Sequence, residues 1–163
     1  MIDAPYVNAE PYYATLGRLV NAVADPGWAV ATDDIGAIGW YGGIRVIDML
    51  GLVNRDLAMR RTDVQHLVAD NYPELIVLHY DDRTPPRSRW RTLRIRDFDS
   101  LYVAPRGPTP VPGSLRVRLD VRAVVEARLA ALDPGLQADL IALEIHLRAH
   151  QPDMRPIVPI AAP

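Results

Sequence analysis

The 163-residue chain contains neither cysteine nor lysine, and each absence excludes a class of function. Without cysteine there is no disulfide, no thiol nucleophile and no cysteine-ligated metal. Without lysine there is no phosphate-binding loop of the GxxxxGK[ST] type, and all 18 basic residues are arginine. The net charge of −2 argues against a general nucleic-acid binder. The chemistry that remains is that of carboxylates, histidines, arginines and aromatic rings.

Long apolar runs are also absent. No run reaches about 18 apolar residues, which a membrane-spanning helix needs, and the first residues lack the basic and apolar regions of a signal peptide. We therefore expect neither a span nor a signal peptide in this sequence. Its length is typical of one domain with a sizeable core.

The most informative stretch is the glycine-rich segment 28–52. Two apolar, β-branched runs, Trp28–Thr32 and Ile44–Asp48, predict strands. Four glycines between them indicate a connector that packs closely against a sheet. Leu75–Tyr80 is the most apolar run and suits the centre of a sheet. We expect these three strands to be neighbours.

The remaining pattern predicts an α/β fold: a small, mixed, largely parallel sheet flanked by helices, with a C-terminal helical hairpin. We divide the chain into an α/β core domain (1–104), a proline-rich linker (105–114), a strand plus helical hairpin (115–150) and a proline-rich tail (151–163). The alternation in Trp90–Ile95 favours an edge strand. The two hairpin helices can pair with each other or jointly cover the sheet, and we expect a chain truncated at Pro112 to remain a soluble but less stable sheet domain.

Five aspartates follow the predicted strands: Asp33, Asp34, Asp48, Asp81 and Asp82. If the strands are parallel, these carboxylates meet at one edge, where ligands bind in open α/β sheets. Such a cluster can bind a hard cation or sugar hydroxyls. We favour the structural alternative, in which each aspartate ends a strand or caps a helix. Buried Asp34 and Asp48 would then accept hydrogen bonds from N–H groups of Gly36–Gly43 and from Arg45.

Other motifs are weak. The spacing GxxGxxGG is not a nucleotide fingerprint. His146 and His150 have a metal-compatible spacing, but HLRAH lacks the glutamate of HExxH, so we predict no metal site and no cofactor. The arginine-rich segment 83–96 is typical of a solvated loop, with contact to anionic lipid headgroups as the alternative. Trp40 and Tyr41 can stack on a sugar ring or fill a core.

Three segments carry a resemblance to a known family. They contain Asp34-Ile35-Gly36, Trp40-Tyr41, Arg45–Asp48 and Gly51-Leu52 in the first segment, Asn71–Leu78 in the second and Phe98–Val103 in the third. Over residues 17–104 the chain resembles the soluble C-terminal domain of bacterial multi-pass membrane glycosyltransferases of the GT-C type. These enzymes use lipid-linked sugars and are related to the protein mannosyltransferase (family-39-like) and arabinosyltransferase groups.

The resemblance implies a domain outside the cytoplasm that follows the last membrane helix. The family's catalytic aspartates lie in membrane-side loops that this sequence lacks, so we expect no autonomous catalysis and no catalytic residue here. Implied partners are a glycan or lipid-linked sugar and a membrane domain, and no nucleic acid is expected. The candidate ligand-binding residues are Asp33, Asp34, Trp40, Tyr41, Arg45, Asp48, Asp81 and Asp82.

Two alternatives stay open. One is a stand-alone subunit, cytoplasmic if free-standing, that docks a partner protein through its C-terminal helices. The other is a small hydrolase or transferase that uses the aspartate cluster.

Overall fold

The computed structural model describes residues 9–77, 98–111 and 115–150. Its elements in chain order are α1 (Ala9–Val23), β1 (Ala29–Thr32), α2 (Ile35–Gly42), β2 (Arg45–Asp48), α3 (Arg55–Ala58), α4 (Val64–Asn71), β3 (Leu75–Val77), α5 (Phe98–Leu101), β4 (Tyr102–Val103), β5 (Leu115–Arg118), α6 (Arg122–Ala130) and α7 (Pro134–His150). A 3-10 turn, Leu119–Val121, leads into α6.

The described strands form one mixed sheet in the order β2-β1-β3-β5-β4. β1 pairs in parallel with both β2 and β3, and β5 runs antiparallel to β3 and β4. Every residue of β1 and β3 is buried, as expected for strands at the centre of a sheet. The predicted α/β class is confirmed, and the three predicted strands are neighbours. The predicted edge strand at 90–95 lies outside the described residues.

Aspartates cap three of the described helices. The N–H of Ala37 donates to Asp34 Oδ1 at 3.3 Å at the start of α2, and the N–H of Leu136 donates to Asp133 Oδ1 at 3.0 Å at the start of α7. Asp63 caps α4 in the same way. Each carboxylate satisfies an N–H that has no partner within its own helix.

The sheet separates two apolar layers. On one face, α1, α2, α6 and α7 cover the sheet with a core that includes Leu16, Val30, Leu75, Leu129 and Leu140. On the other face, α4 packs its Val68 against strand residues such as Ala31 and Ile76. The molecule therefore has three layers, with the sheet between two layers of helices. In this arrangement β2 lies in the middle layer and α2 in one of the outer layers.

Helices α1 and α2 approach each other closely at Gly17. A Cβ atom at this position would lie 2.7 Å from the Cβ of Tyr41 and 2.9 Å from the carbonyl oxygen of Ala37. Real side chains do not tolerate such distances, so only glycine permits this crossing. The contact fixes the position of α2 on the core.

The C-terminal segment belongs to the same sheet and core as the N-terminal part. β5 lies between β3 and β4, and its Val117 is level with Leu75 on one side and Val103 on the other. Leu129 and Leu140 are fully buried in the core with α1, and Arg18 of α1 forms an ion pair of 3.0 Å with Asp139 of α7. The two C-terminal helices thus cover α1 instead of pairing only with each other.

An arginine joins β5 to the loop before β3. Arg118 forms an ion pair of 3.0 Å with Glu74 and one of 2.7 Å with Asp120, and its guanidinium lies 4.5 Å from the ring centre of Tyr72. Beside it the hydroxyl of Tyr102 donates to the carbonyl oxygen of Pro73 at 2.8 Å, and burial raises the pKa of this phenol. These contacts close the edge of the sheet that lies opposite the carboxyl ends of β1, β2 and β3.

Candidate functional site

The structure brings three of the predicted site residues to one edge of the sheet. β1 and β2 are parallel neighbours with Thr32 level with Asp48. Asp33 and Asp34 follow Thr32 directly, so they lie at the same carboxyl edge as Asp48. Asp81 and Asp82 lie outside the described residues.

The other predicted site residues lie elsewhere. Helix α2 carries the chain from the carboxyl edge back to the opposite edge, and Trp40 and Tyr41 lie in its last turn. Arg45 is the first residue of β2, and its guanidinium Nη1 donates to Asn71 Oδ1 at 3.3 Å. The predicted residues therefore form two groups at different places and not one cluster.

The surroundings of Asp48 indicate that its role is structural. The residue is only 3% exposed, and its carboxylate accepts four backbone N–H bonds. The donors are Leu50 at 2.9 Å, Gly51 at 3.0 Å, Val53 at 2.6 Å and Asn54 at 3.1 Å. We call residues 49–54 the Asp48 loop, because this one side chain holds its backbone.

The predicted donors to Asp48 were wrong. We expected N–H groups of Gly36–Gly43 and the side chain of Arg45. Gly36, Gly39 and Gly42 belong to helix α2, which leads away from Asp48 towards the opposite edge of the sheet, and Arg45 is at the far end of β2. The loop after the strand turns back instead, and Gly51 adopts a positive φ of 78° that permits the turn.

The four N–H bonds also set the charge of Asp48. Burial disfavours the charged carboxylate, but the bonds from Val53, Asn54, Leu50 and Gly51 together outweigh it and hold the pKa of Asp48 below its ordinary value. Asp48 is therefore ionised at neutral pH.

We expect a pH dependence of stability from this residue. Because the pKa of Asp48 is lower in the folded than in the unfolded chain, the unfolded chain binds more protons near and below the ordinary aspartate pKa of about 4. The contribution of Asp48 is complete above that pH and is lost as the pH falls through the folded pKa. Thermal unfolding can be followed by circular dichroism from about pH 7 to about pH 3. As the pH falls, the unfolding midpoint of Asp48→Asn should decrease less steeply than that of the unmodified chain. Equal slopes would contradict the assignment.

The Asp48 loop presents apolar side chains to solvent. Leu50, Leu52 and Val53 are exposed, the last two by 70% and 76%, and Met59 just after α3 is exposed as well. A Cβ at Gly51 would lie 3.0 Å from the backbone N of Ala58, so the loop lies directly against α3. We call Leu50, Leu52, Val53 and Met59 the apolar tip. None of these four residues was among the predicted site residues, and the signal that could have identified them is the density of apolar residues in the stretch after Asp48.

Trp40 forms a second exposed apolar feature. Its side chain is 83% exposed. Gly36 lies one turn earlier on the same face of α2, and a Cβ there would meet no atom closer than Asp34 Oδ1 at 3.8 Å. No side-chain atom of Trp40 lies within 4 Å of that position, so the face of α2 at Gly36 is open space. Tyr41 is exposed beside it, while its Cβ rests against Gly17.

A metal site is not formed by the part of the chain that the structure describes: no three His, Asp or Glu side chains in it are grouped to hold an ion. His79 and the side chains of His146 and His150 lie outside that part. Among the helices within the described ranges, none combines the length and the hydrophobicity needed to cross a bilayer.

A family model, the domain of unknown function DUF8728, matches residues 5–119. The chain belongs to the DUF8728 family. The match ends directly after β5, so the DUF8728 unit includes every strand of the described sheet, and α6 and α7 lie beyond it. No curated protein and no solved structure matches the chain significantly. The resemblance to glycosyltransferase domains stays an expectation.

Proposed function

We propose that this DUF8728 chain is a non-catalytic binding domain that positions a glycan acceptor beside a membrane glycosyltransferase for lipid-linked sugars, outside the cytoplasm. The observation that carries the proposal is the indole of Trp40, which is 83% exposed in the last turn of α2. The same aromatic pair, Trp40-Tyr41, is part of the segment that resembles those enzymes.

The surface around Trp40 suits a sugar ring. Pyranose and furanose rings have an apolar C–H face, and an indole provides a large flat surface for it at a small cost in side-chain entropy. The neighbouring Tyr41 brings a phenol hydroxyl that both donates and accepts hydrogen bonds. An exposed tryptophan with no neighbouring side chain at Gly36 leaves room for the ring to approach.

The carboxylates support binding over catalysis. Asp34 caps α2 and Asp48 holds its loop, so both are engaged by backbone N–H groups. A general acid or base needs a carboxyl group that can reach the substrate. We therefore leave Asp34 and Asp48 out of the proposed glycan surface, and the hydrolase alternative loses two of its candidate residues.

Replacement of Trp40 tests the proposal. Saturation-transfer NMR of the full chain with mannose- and arabinose-containing oligosaccharides should show binding that Trp40→Ala weakens about tenfold, the scale of about 1.4 kcal/mol for one aromatic contact. Trp40→Phe should keep part of the affinity. Because the side chain is almost fully exposed, we expect Trp40→Ala to leave the unfolding midpoint unchanged.

Val124→Ala is the matched control, since Val124 is an exposed apolar residue on α6. Equal binding by Trp40→Ala and the unmodified chain, or no binding of any of these oligosaccharides, would defeat the proposal. Release of free sugar from a polyprenyl-phosphate sugar by the purified chain, abolished by Asp34→Ala, would favour an enzyme instead.

A second candidate function is the docking of a partner protein through the C-terminal helices. Ile141 and Ile145 lie one turn apart on α7, and both are exposed although the opposite side of the helix is buried in the core. Such a pair is a common anchor for a helix-in-groove contact. If the chain self-associates in light scattering, and Ile141→Ser with Ile145→Ser abolishes the association, this candidate gains support.

A further inference from the structure

We propose that the apolar tip, with the arginines that follow it, is a membrane-interface loop that inserts into the headgroup region of an anionic bilayer. The inference goes beyond glycan binding and does not depend on it, because it uses other residues at the opposite edge of the sheet from Trp40.

The first step is the rigid exposure of the tip. Flexible apolar loops fold back to bury their side chains, but the backbone of the Asp48 loop is held by four bonds to one buried carboxylate. Gly51 lies against α3 and fixes the loop from the other side. Leu52 and Val53 therefore stay in solvent, where each exposed aliphatic side chain is unfavourable.

The second step is charge. Segment 50–61 holds Arg55, Arg60 and Arg61, all exposed, and one carboxylate, Asp56. Of the two carboxylates that flank the segment, Asp48 is buried under the loop and Asp63 contacts His66. Arg61 pairs with Asp56 at 3.6 Å, a loose contact between two exposed groups. The segment thus carries a positive charge, whereas the whole chain has a net charge of −2. An apolar tip with adjacent arginines is complementary to anionic headgroups above an acyl layer.

The third step is shape. The apolar residues are at a loop that follows the end of a strand and not in a groove or on a flat helix face. A loop of this kind offers little area to a protein surface, since stable protein interfaces bury about 800 Å² on each partner. A fluid headgroup layer closes around it without matching its shape. The observations therefore favour a bilayer over a protein partner.

Vesicle binding by the full chain tests the inference. In flotation with vesicles of equal parts phosphatidylglycerol and phosphatidylcholine, the chain should bind, and Leu52→Ser with Val53→Ser should reduce partitioning about tenfold or more. Arg60→Gln with Arg61→Gln should weaken binding to these vesicles and remove its dependence on salt. Vesicles of pure phosphatidylcholine should bind less than the anionic ones.

The absence of cysteine permits a direct depth measurement. An environment-sensitive fluorophore on Val53→Cys should shift to shorter wavelength when anionic vesicles are added, while the same label on Val124→Cys should not, although Val124 is also exposed. Leu119→Ser with Val124→Ser is the matched control for flotation, because both residues are exposed and apolar.

No flotation with anionic vesicles, equal flotation of the tip variant and the Leu119, Val124 control, or equal shifts of both labels would overturn the inference. So would a dimer of the full chain in light scattering that Leu52→Ser with Val53→Ser dissolves, since the tip would then contact a second copy. Thermal unfolding checks that each variant is folded, and loss of glycan binding has no bearing on these outcomes.

Discussion

A chain that ends at Pro112 is expected to lose cooperative folding. Truncation there removes β5, which hydrogen-bonds to both β3 and β4, and leaves the central strand β3 with an open edge. It also removes the fully or almost fully buried residues Leu115, Val117, Val125, Leu129 and Leu140. At about 1.5–3 kcal/mol for each buried aliphatic side chain, the loss is about as large as the whole stability of a domain, about 5–15 kcal/mol.

Denaturant unfolding of the truncated chain should therefore show no cooperative transition, and the product should aggregate through its open sheet edge. The matched control ends at His150 and keeps every element that the structure describes. If the chain truncated at Pro112 is a soluble monomer with a cooperative unfolding transition, the two C-terminal helices pack only against each other and are not part of the core.

Asp48→Asn is expected to lower the free energy of unfolding by about 2–4 kcal/mol. The asparagine side chain keeps one acceptor oxygen and presents an NH₂ group to two of the four loop N–H donors, which are then left unsatisfied at about 1–3 kcal/mol each. Urea unfolding at neutral pH measures the difference.

Asp56→Asn is the control in the same region. Asp56 is exposed and its ion pair with Arg61 is long, so its replacement should change the free energy by less than about 0.5 kcal/mol. Similar small effects from both substitutions would mean that the carboxylate of Asp48 does not hold the loop.

The local parts of the fold could be predicted from the sequence. The apolar runs of β1, β2 and β3 are bounded by turn formers, and Asp34 precedes the first residue of a helix, so neighbouring residues determine both features. The position of β5 between β3 and β4 could not be predicted in this way, because it depends on pairing between residues about 40 positions apart.

The candidate site was predictable in chemistry but not in geometry. That a buried Asp48 needs N–H donors follows from the residue type. Which donors it finds depends on the return of the loop at Gly51, a backbone conformation that the sequence allows but does not require. Trp40 and Tyr41 were ambiguous between a core and a surface until the crossing of α1 and α2 at Gly17 determined which side of α2 is covered.

The position of β5 has a consequence for synthesis on the ribosome. β3 is complete at Val77, but its second partner strand ends at Arg118, so the nascent chain exposes one edge of β3 while about 40 more residues are added. At about 5–20 residues per second, that interval is about 2–8 s. During this time the unpaired edge can bind other extended chains. The emerging chain therefore needs a chaperone, or the arrival of β5, before its sheet is protected.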